Sequence, residues 1–383
     1  MKNKQVRFGI IGLGMMGREF GSSVARWCNL TEDVPQPVIT AICNRSDNSK
    51  RDWFLNNFPS ISVVSNDYHD LLESDQVDAI YCAVPHNLHE QMYIDIIRSG
   101  KHLLGEKPFG IDKKANNNIM QVIRDHPDII VRCVSQYPYY PGSKHIIDWA
   151  HEQRYGKIME VRAGLLHSSD MDPNKKINWK RMLKYNGEYG CMGDLGFHVQ
   201  HIPFRLGWMP HSVFAHLQNI TTSRPDETGT QVPCETWDNA LLCCQSTDTA
   251  TDSTFPINFE VKRMSPGHTN TWYLEIDGTE ESIAFSTRNP KALYHLKTTG
   301  KQQGWTRYDI GSDFFFPTIT AGIFEAGQTD VIQQMIAAFM YEFSSEKPDN
   351  FFATATPEET VSSHAVFTAA LESWEKGETI LLE

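Results

Sequence analysis

The most constraining stretch of this chain is its beginning. A short apolar run, Val6-Arg7-Phe8-Gly9-Ile10-Ile11, breaks into Gly12-Leu13-Gly14-Met15-Met16-Gly17, and a helix-like segment follows to about Cys28. This spacing predicts a buried strand, a glycine turn and a helix. The physics suits a dinucleotide: Gly12 allows the tight turn, Gly14 lets the backbone approach a pyrophosphate, and Gly17 permits close helix–strand packing. The first N–H groups of the helix then face the phosphates. Glycine turns also occur without nucleotides, and it is the position directly after the first strand that gives this one weight.

The next strand, Val38 to Cys43, ends in Asn44-Arg45-Ser46. An NAD-specific site usually carries an acid here for the ribose hydroxyls. Asn44 can still bond a ribose, while Arg45, with Ser46, suits a 2'-phosphate, so NADP is favoured over NAD; Arg45 pointing to solvent is the plainer alternative. Farther on, the apolar strand Val77 to Val84 stops at Pro85-His86-Asn87-Leu88-His89, and a helix leads into Leu103-Leu104-Gly105-Glu106-Lys107-Pro108. Alternating strands and helices predict a parallel sheet whose ligands lie beyond the carboxyl ends of its strands. The glycine loop, Ala83 to His89 and Glu106 to Pro108 all fall on that edge. Read alone, Lys107 fits a solvated turn; on this edge it becomes a candidate proton donor or acceptor.

A length of 383 residues suits two domains. The aromatic, proline-containing stretch Gln136-Tyr137-Pro138-Tyr139-Tyr140-Pro141 marks the crossover, dividing residues 1–136 from 137–383. After it, strands follow one another near 158–166, 212–220, 239–244, 255–261, 273–276 and 282–285, predicting a largely antiparallel sheet. Two late helices are expected, one from about Thr329 to Phe343 and one opening at the capping pattern Thr356-Pro357-Glu358-Glu359. A formal net charge of −12 argues against nucleic-acid or anionic-membrane partners. The eight cysteines show no CxxC pair and read as reduced core thiols. With no signal-peptide pattern and no long apolar run, a cytoplasmic protein is expected.

The second domain holds another polar cluster, Gly190-Cys191-Met192-Gly193-Asp194-Leu195-Gly196-Phe197-His198-Val199-Gln200-His201. If helical, it places Asp194, His198 and His201 on one face, where a carboxylate can orient an imidazole that takes a proton from a hydroxyl. His86, His89, His198, His201 and Asp194 also have metal-like spacing, but histidines on a site edge serve equally as proton carriers, and no metal is expected. The basic run from Lys175 to Lys184 suits either an anionic substrate or a solvated loop. Trp179 within it can stack on a sugar ring or simply pack.

Together, GLGMMG, VPHNLH, GEKP, GDLGFH and the closing Pro-Glu-Glu to Ser-Trp-Glu-Lys-Gly segment resemble the family of glucose-fructose oxidoreductase, inositol dehydrogenase and the rhizopine-catabolism oxidoreductases. The resemblance spans nearly the whole chain. It implies an α/β fold: an N-terminal Rossmann domain with a doubly wound, mostly parallel sheet, and a C-terminal α+β domain with a large, open, mainly antiparallel sheet. It implies hydride transfer between NAD(P) and a hydroxyl or ketone of a sugar, sugar derivative or cyclitol. By position, Lys107, Asp194 and His198 match the catalytic set, and Gly12, Gly14 and Gly17 match the pyrophosphate turn. Pro85, Asn87, His89 and Glu106 match residues around the nicotinamide end. Homodimers or homotetramers through the open sheet are implied, as is a cis Lys107–Pro108 bond. Gln136 to Tyr140 departs from the family's usual Asn-Arg-Arg-Phe, and His201 stands where an aspartate is frequent; both departures bear on the substrate, for which Lys107, Trp179, Asp194, His198 and His201 are the candidate contacts. A non-catalytic NAD(P)- or sugar-binding regulator and a glycosidase using a tightly bound NAD are the competing readings.

Overall fold

In the computed structural model, which describes residues 4–45, 48–298, 301, 303–344 and 352–382, two sheets carry the fold. The first contains β1 (Gln5–Ile11), β2 (Gln36–Cys43), β3 (Val63–Ser65), β4 (Ala79–Cys82), β5 (His102–Gly105) and β6 (Val131–Cys133). Every pairing is parallel, in the order β3-β2-β1-β4-β5-β6. The strand order reverses between β1 and β4, which opens a crevice at their carboxyl ends. β4 is buried along its whole length, as expected of a strand covered on both faces.

After β6 the backbone turns through Tyr137–Tyr139, and the helix Pro141–His151 begins with proline in its first turn. The second sheet uses β7 (Ile158–Leu166), β8 (Pro210–Gln218), β11 (Asn239–Asp248), β12 (Ser253–Lys262), β13 (Thr271–Gly278), β14 (Glu281–Ser286), β15 (Ala292–Lys297), β16 (Thr306–Asp309) and β17 (Ile380–Leu381). A small hairpin, β9 (Ser223–Pro225) and β10 (Gln231–Pro233), lies outside it. The order is β16-β15-β14-β13-β7-β12-β11-β8-β17, antiparallel except where β7 runs beside β12. Along β11, Ala240, Leu242 and Cys244 are buried while Leu241, Cys243 and Gln245 are exposed, so one face packs and the other is open. Cys243 is thus not a core thiol, because neighbouring strand residues point to opposite faces, and Cys28 after the first helix is exposed too; the cysteines form no disulfide among the described residues.

Apart from the short hairpin β9–β10, the strands up to β14 are those the sequence predicts. β15, β16 and β17 are not, and β16 (Thr306-Arg307-Tyr308-Asp309) is exposed throughout, with no apolar alternation to read. Gln328–Tyr341 forms the expected apolar helix, but it returns to the first sheet: Phe339 meets Phe8 edge-on at 6.2 Å, and Gln333 donates to the carbonyl of Ser23 at 3.1 Å. The final helix, Pro357–Lys376, carries its capping box and ends at Gly377 with φ 68°, the left-handed cap that glycine supplies. Ala355 just before it receives a hydrogen bond from the Cys133 amide at 2.8 Å, closing the chain's last segment against β6.

Candidate active site

The glycine turn behaves as the sequence requires, and each glycine for a separate reason. Gly12 has φ 95°, and a Cβ there would collide with the carbonyl of Ala83, the residue that leaves β4. At Gly17 a Cβ would strike the carbonyl of Gly12. Gly14 differs: its φ is −72°, and a Cβ would meet nothing within 4 Å. Neither conformation nor internal packing demands glycine there, which leaves close approach by something outside the chain. The helix Met15–Ala25 starts at Gly14 with no side-chain cap, so its first N–H groups are available to phosphate oxygens. Leu13 is fully buried beneath the turn and Met16 packs on the core, while Met15 is 70% exposed.

On the same edge, Ala83 donates its amide to Ile11 at 2.8 Å, and Val84 leads into the short turn His86–Leu88 after Pro85. Asn87 carries a buried Oδ1 with no partner among the described residues. An orphaned acceptor beside an uncapped helix start fits a cofactor amide or ribose hydroxyl arriving there. His89 donates Nε2–H to the carbonyl of Val84 at 3.1 Å and accepts the Gly110 amide at Nδ1 at 3.4 Å, with its ring stacked on Tyr93. Burial drives its pKa down to about 3, so it is a neutral, fixed support. His86 is likewise driven well down, first by burial and then by His89 and Lys107, and its ring meets Trp179 edge-on at 4.9 Å. Glu106 is buried, which raises its pKa against the pull of Lys107; it accepts the Tyr81 hydroxyl at 2.7 Å. At the end of β2, Asn44 is half-buried and Arg45 exposed, and Ser46 lies outside the described residues. Arg51 braces this corner, donating to the carbonyls of Asn44 and Ser65.

The peptide bond between Lys107 and Pro108 is cis. Lys107 Nζ lies 2.8 Å from Asp194 Oδ1 and also reaches the Asp194 carbonyl, joining two positions 87 residues apart. Asp194 sits in a π-helical turn, Met192–Gly196, which passes into the α-helix Phe197–Arg205. The simple α-helix expected here is therefore interrupted at the polar cluster, where π-turns often mark functional positions. Both Asp194 oxygens also lie 2.9 Å from Lys180 Nζ, and Arg263 Nε approaches Oδ2 at 3.3 Å. Burial alone would raise the Asp194 pKa, but Lys107, then Lys180 and Arg263, hold it well below the usual carboxylate range.

His198 is buried, with Nδ1 unpartnered among the described residues and its pKa driven well down by burial and by Lys107. Tyr137 meets its ring edge-on at 5.2 Å, and Trp272 donates to its carbonyl at 3.0 Å while stacking on Tyr137. These aromatic contacts orient it, and not a hydrogen bond donated to Asp194. His201 belongs to a separate network: Nδ1 contacts Ser135 Oγ at 2.8 Å, and Nε2 lies 3.6 Å from Glu359, itself paired with Arg205. No group of three His, Cys, Asp or Glu able to hold a metal occurs among the described residues.

Within the basic run, Lys175 pairs with Asp170, Lys176 with Glu227, and the buried Arg181 with Asp170 and Asp238. Trp179, half-buried, lies beside Lys180, whose ammonium is 5.7 Å from its ring centre. Lys180 and Arg263 were not singled out from sequence. Lys180 was one residue in a run of cations, and a lone arginine after a strand has no local signature.

Comparison with known proteins relates the fold to others. Residues 6–132 match the model of an oxidoreductase family described as having an NAD-binding Rossmann fold. A levoglucosan dehydrogenase of Pseudarthrobacter phenanthrenivorans is 24% identical over 305 residues, covering 75% of this chain and 74% of that one. Among solved structures, levoglucosan dehydrogenase in complex with NADH and L-sorbose shares the fold at 19% identity, with a TM-score of 0.85 over 99% of both chains. An oxidoreductase domain protein from Kribbella flavida does so with a TM-score of 0.87 at 19% identity, over 99% of this chain and all of that one.

Proposed function

We propose that this chain, whose residues 6–132 match the model of an oxidoreductase family with an NAD-binding Rossmann fold, transfers hydride between a nicotinamide cofactor and a hydroxyl or ketone of a sugar, sugar derivative or cyclitol. The observation that carries this reading is the 2.8 Å pairing of Lys107 with Asp194 at the carboxyl edge of the parallel sheet. It puts a proton-bearing group beside the crevice where a dinucleotide's reactive end belongs. When bound, the nicotinamide ring supplies the hydride acceptor or donor.

The chain's own residues handle the proton and the orientation. Lys107 offers Nζ–H to the reacting oxygen, with Asp194 fixing the amine in place. His198, kept neutral by burial, can accept the hydroxyl proton during oxidation and return it during reduction. We assign proton transfer to Lys107 and His198 jointly. Gly12, Gly14 and Gly17 shape the pyrophosphate turn, and Ala83, Val84, Pro85, Asn87, His89, Glu106 and Pro108 form the edge around the nicotinamide end. Trp179 serves as a face for the sugar ring, whereas His201, engaged with Ser135 and Glu359, acts at a remove from substrate. An exposed Arg45 after β2, with Asn44 beside it and no acid at that corner, supports NADP over NAD. The open sheet face supports a homodimer or homotetramer, acting in the cytoplasm; among the described residues no helix is long and apolar enough to cross a membrane. Residues 1–136 form the cofactor domain and 137–383 the substrate domain.

The test is a panel of sugars and cyclitols with NAD+ and NADP+, followed by nicotinamide absorbance. Lys107→Ala is expected to abolish turnover and keep cofactor affinity; substantial residual turnover sinks the assignment. Silence across the panel favours a regulator, and aglycone release without net reduced cofactor favours a glycosidase.

A further inference from the structure

Most cations of the basic run are already engaged away from the cleft. Lys175, Lys176 and Arg181 each have an acidic partner within the second domain, and Lys184 lies 4.6 Å from the ring centre of Tyr185. Lys180 differs, because the carboxylate it pairs with, Asp194, is shared with Lys107 and Arg263. Three cations therefore meet one anion. Two other acids feel these cations: Asp170, which is already matched by Lys175 and Arg181, and Glu106, buried and bonded to Tyr81; with Glu106 counted as fully ionised the site is still positive. The neighbouring His86, His167 and His198 are neutral, since burial lowers all three.

The three cations differ in what else they do. Arg263 is 3% exposed, and its other donors go to the carbonyls of Lys180 and Gly190, so it is a structural brace. Lys107 is 13% exposed and occupied with Asp194. Lys180 is 38% exposed, stands next to the ring of Trp179, and has an ammonium with room for another acceptor. A cleft with unbalanced positive charge inside a chain of net charge −12 attracts and orients a small anion.

Resting on the hydride-transfer reading above, we propose that the substrate is an anionic monosaccharide or cyclitol, bearing a carboxylate or a phosphate, and that Lys180 is the residue that binds the anionic group. Trp179 covers the ring while Lys180 holds the charge, and this fixes which carbinol carbon is presented at Lys107. The basic run thus contributes one cation to recognition, while its other members serve the fold and surface of the second domain.

Matched sets decide it: a neutral sugar, its uronic acid and its phosphate ester, compared by kcat/KM in wild type, Lys180→Met and Lys180→Arg. An anionic member is expected to exceed its neutral parent by about tenfold or more, with the carboxylate and phosphate arms identifying the group. Lys180→Met should erase that preference mainly through KM, and Lys180→Arg should retain it. Equal kcat/KM for neutral and anionic members, or a preference untouched in Lys180→Met, overturns the proposal while leaving hydride transfer intact. Should no member be turned over, hydride transfer falls, and calorimetry on the same sets still decides: tighter, Lys180-dependent binding of the anionic member supports the proposal, and equal binding overturns it.

Discussion

His364 holds the carbonyl oxygen of Pro108 at 2.8 Å through Nε2, across 256 residues of sequence. Asn116 secures the rest of that turn. Phe109 adopts φ 68°, unusual for a bulky residue, and Asn116 donates to its carbonyl at 2.9 Å and to Thr360 Oγ1 at the same distance. The last helix of the chain therefore clamps the turn that presents Lys107. His364→Ala is expected to cost about 1–3 kcal/mol of stability, through the unpaired carbonyl and the space left behind. It should also lower kcat about ten- to a hundredfold by loosening Lys107, with cofactor affinity unchanged. His364→Gln, which can still donate, should recover much of both. Equal kcat in the alanine variant, measured with folding confirmed, would refute the positioning role.

The glycine turn yields a contrast between neighbours. Gly14→Val leaves internal packing alone, because its new atoms meet open space, so thermal stability should hold while cofactor binding weakens by about tenfold or more. Gly17→Ala forces a Cβ onto the Gly12 carbonyl and should cost about 1–3 kcal/mol of stability. Thermal melts with and without cofactor separate the two effects.

Asp194→Asn removes the carboxylate that Lys107, Lys180 and Arg263 share. Like charges left together in a buried site should destabilise the protein by about 3–5 kcal/mol, read from urea unfolding, and abolish turnover. Lys180→Met in the same background should restore part of the stability, since it relieves the repulsion. An Asp194→Asn variant as stable as the parent would show that the cluster is more hydrated than its burial implies.

Two buried histidines set an acid limit on stability. His89 is driven down to about 3 and His364 to about 4, both chiefly by burial. An unfolded chain binds their protons near pH 6.5, before the folded one can, so their contribution is whole above that pH and falls as pH drops toward 4. Each group should steepen the loss by up to about 1.4 kcal/mol per pH unit in that window. His364→Gln should flatten the pH dependence between 6.5 and 4, as followed by chemical denaturation across pH.

Much of the parallel-sheet region is legible because its signals are local. The apolar run of β1, the glycine spacing after it and the alternation of strands with helices depend on neighbours along the chain, as does the Thr356 capping box. These patterns were enough to bring Lys107, Asn87 and the glycine turn to one sheet edge. They were also enough to read Asp194 and His198 as a polar cluster. The partners within that cluster were another matter. Asp194 is bound by Lys107, Lys180 and Arg263, which come from a strand end, a loop and a second strand end, and no spacing relates them. His201 sits three residues beyond His198 yet faces Ser135 and Glu359, because the helix that carries both is packed on two sides by different elements. Sequence alone determined that a nucleotide-type turn precedes a parallel sheet and that a lysine stands at its edge, since local sterics and periodicity decide both. Which carboxylate fixes that lysine, which helix clamps its turn and where the surplus charge lies were decided only when residues from distant stretches of the chain were packed into one desolvated cleft, where electrostatics acts across space and not along sequence.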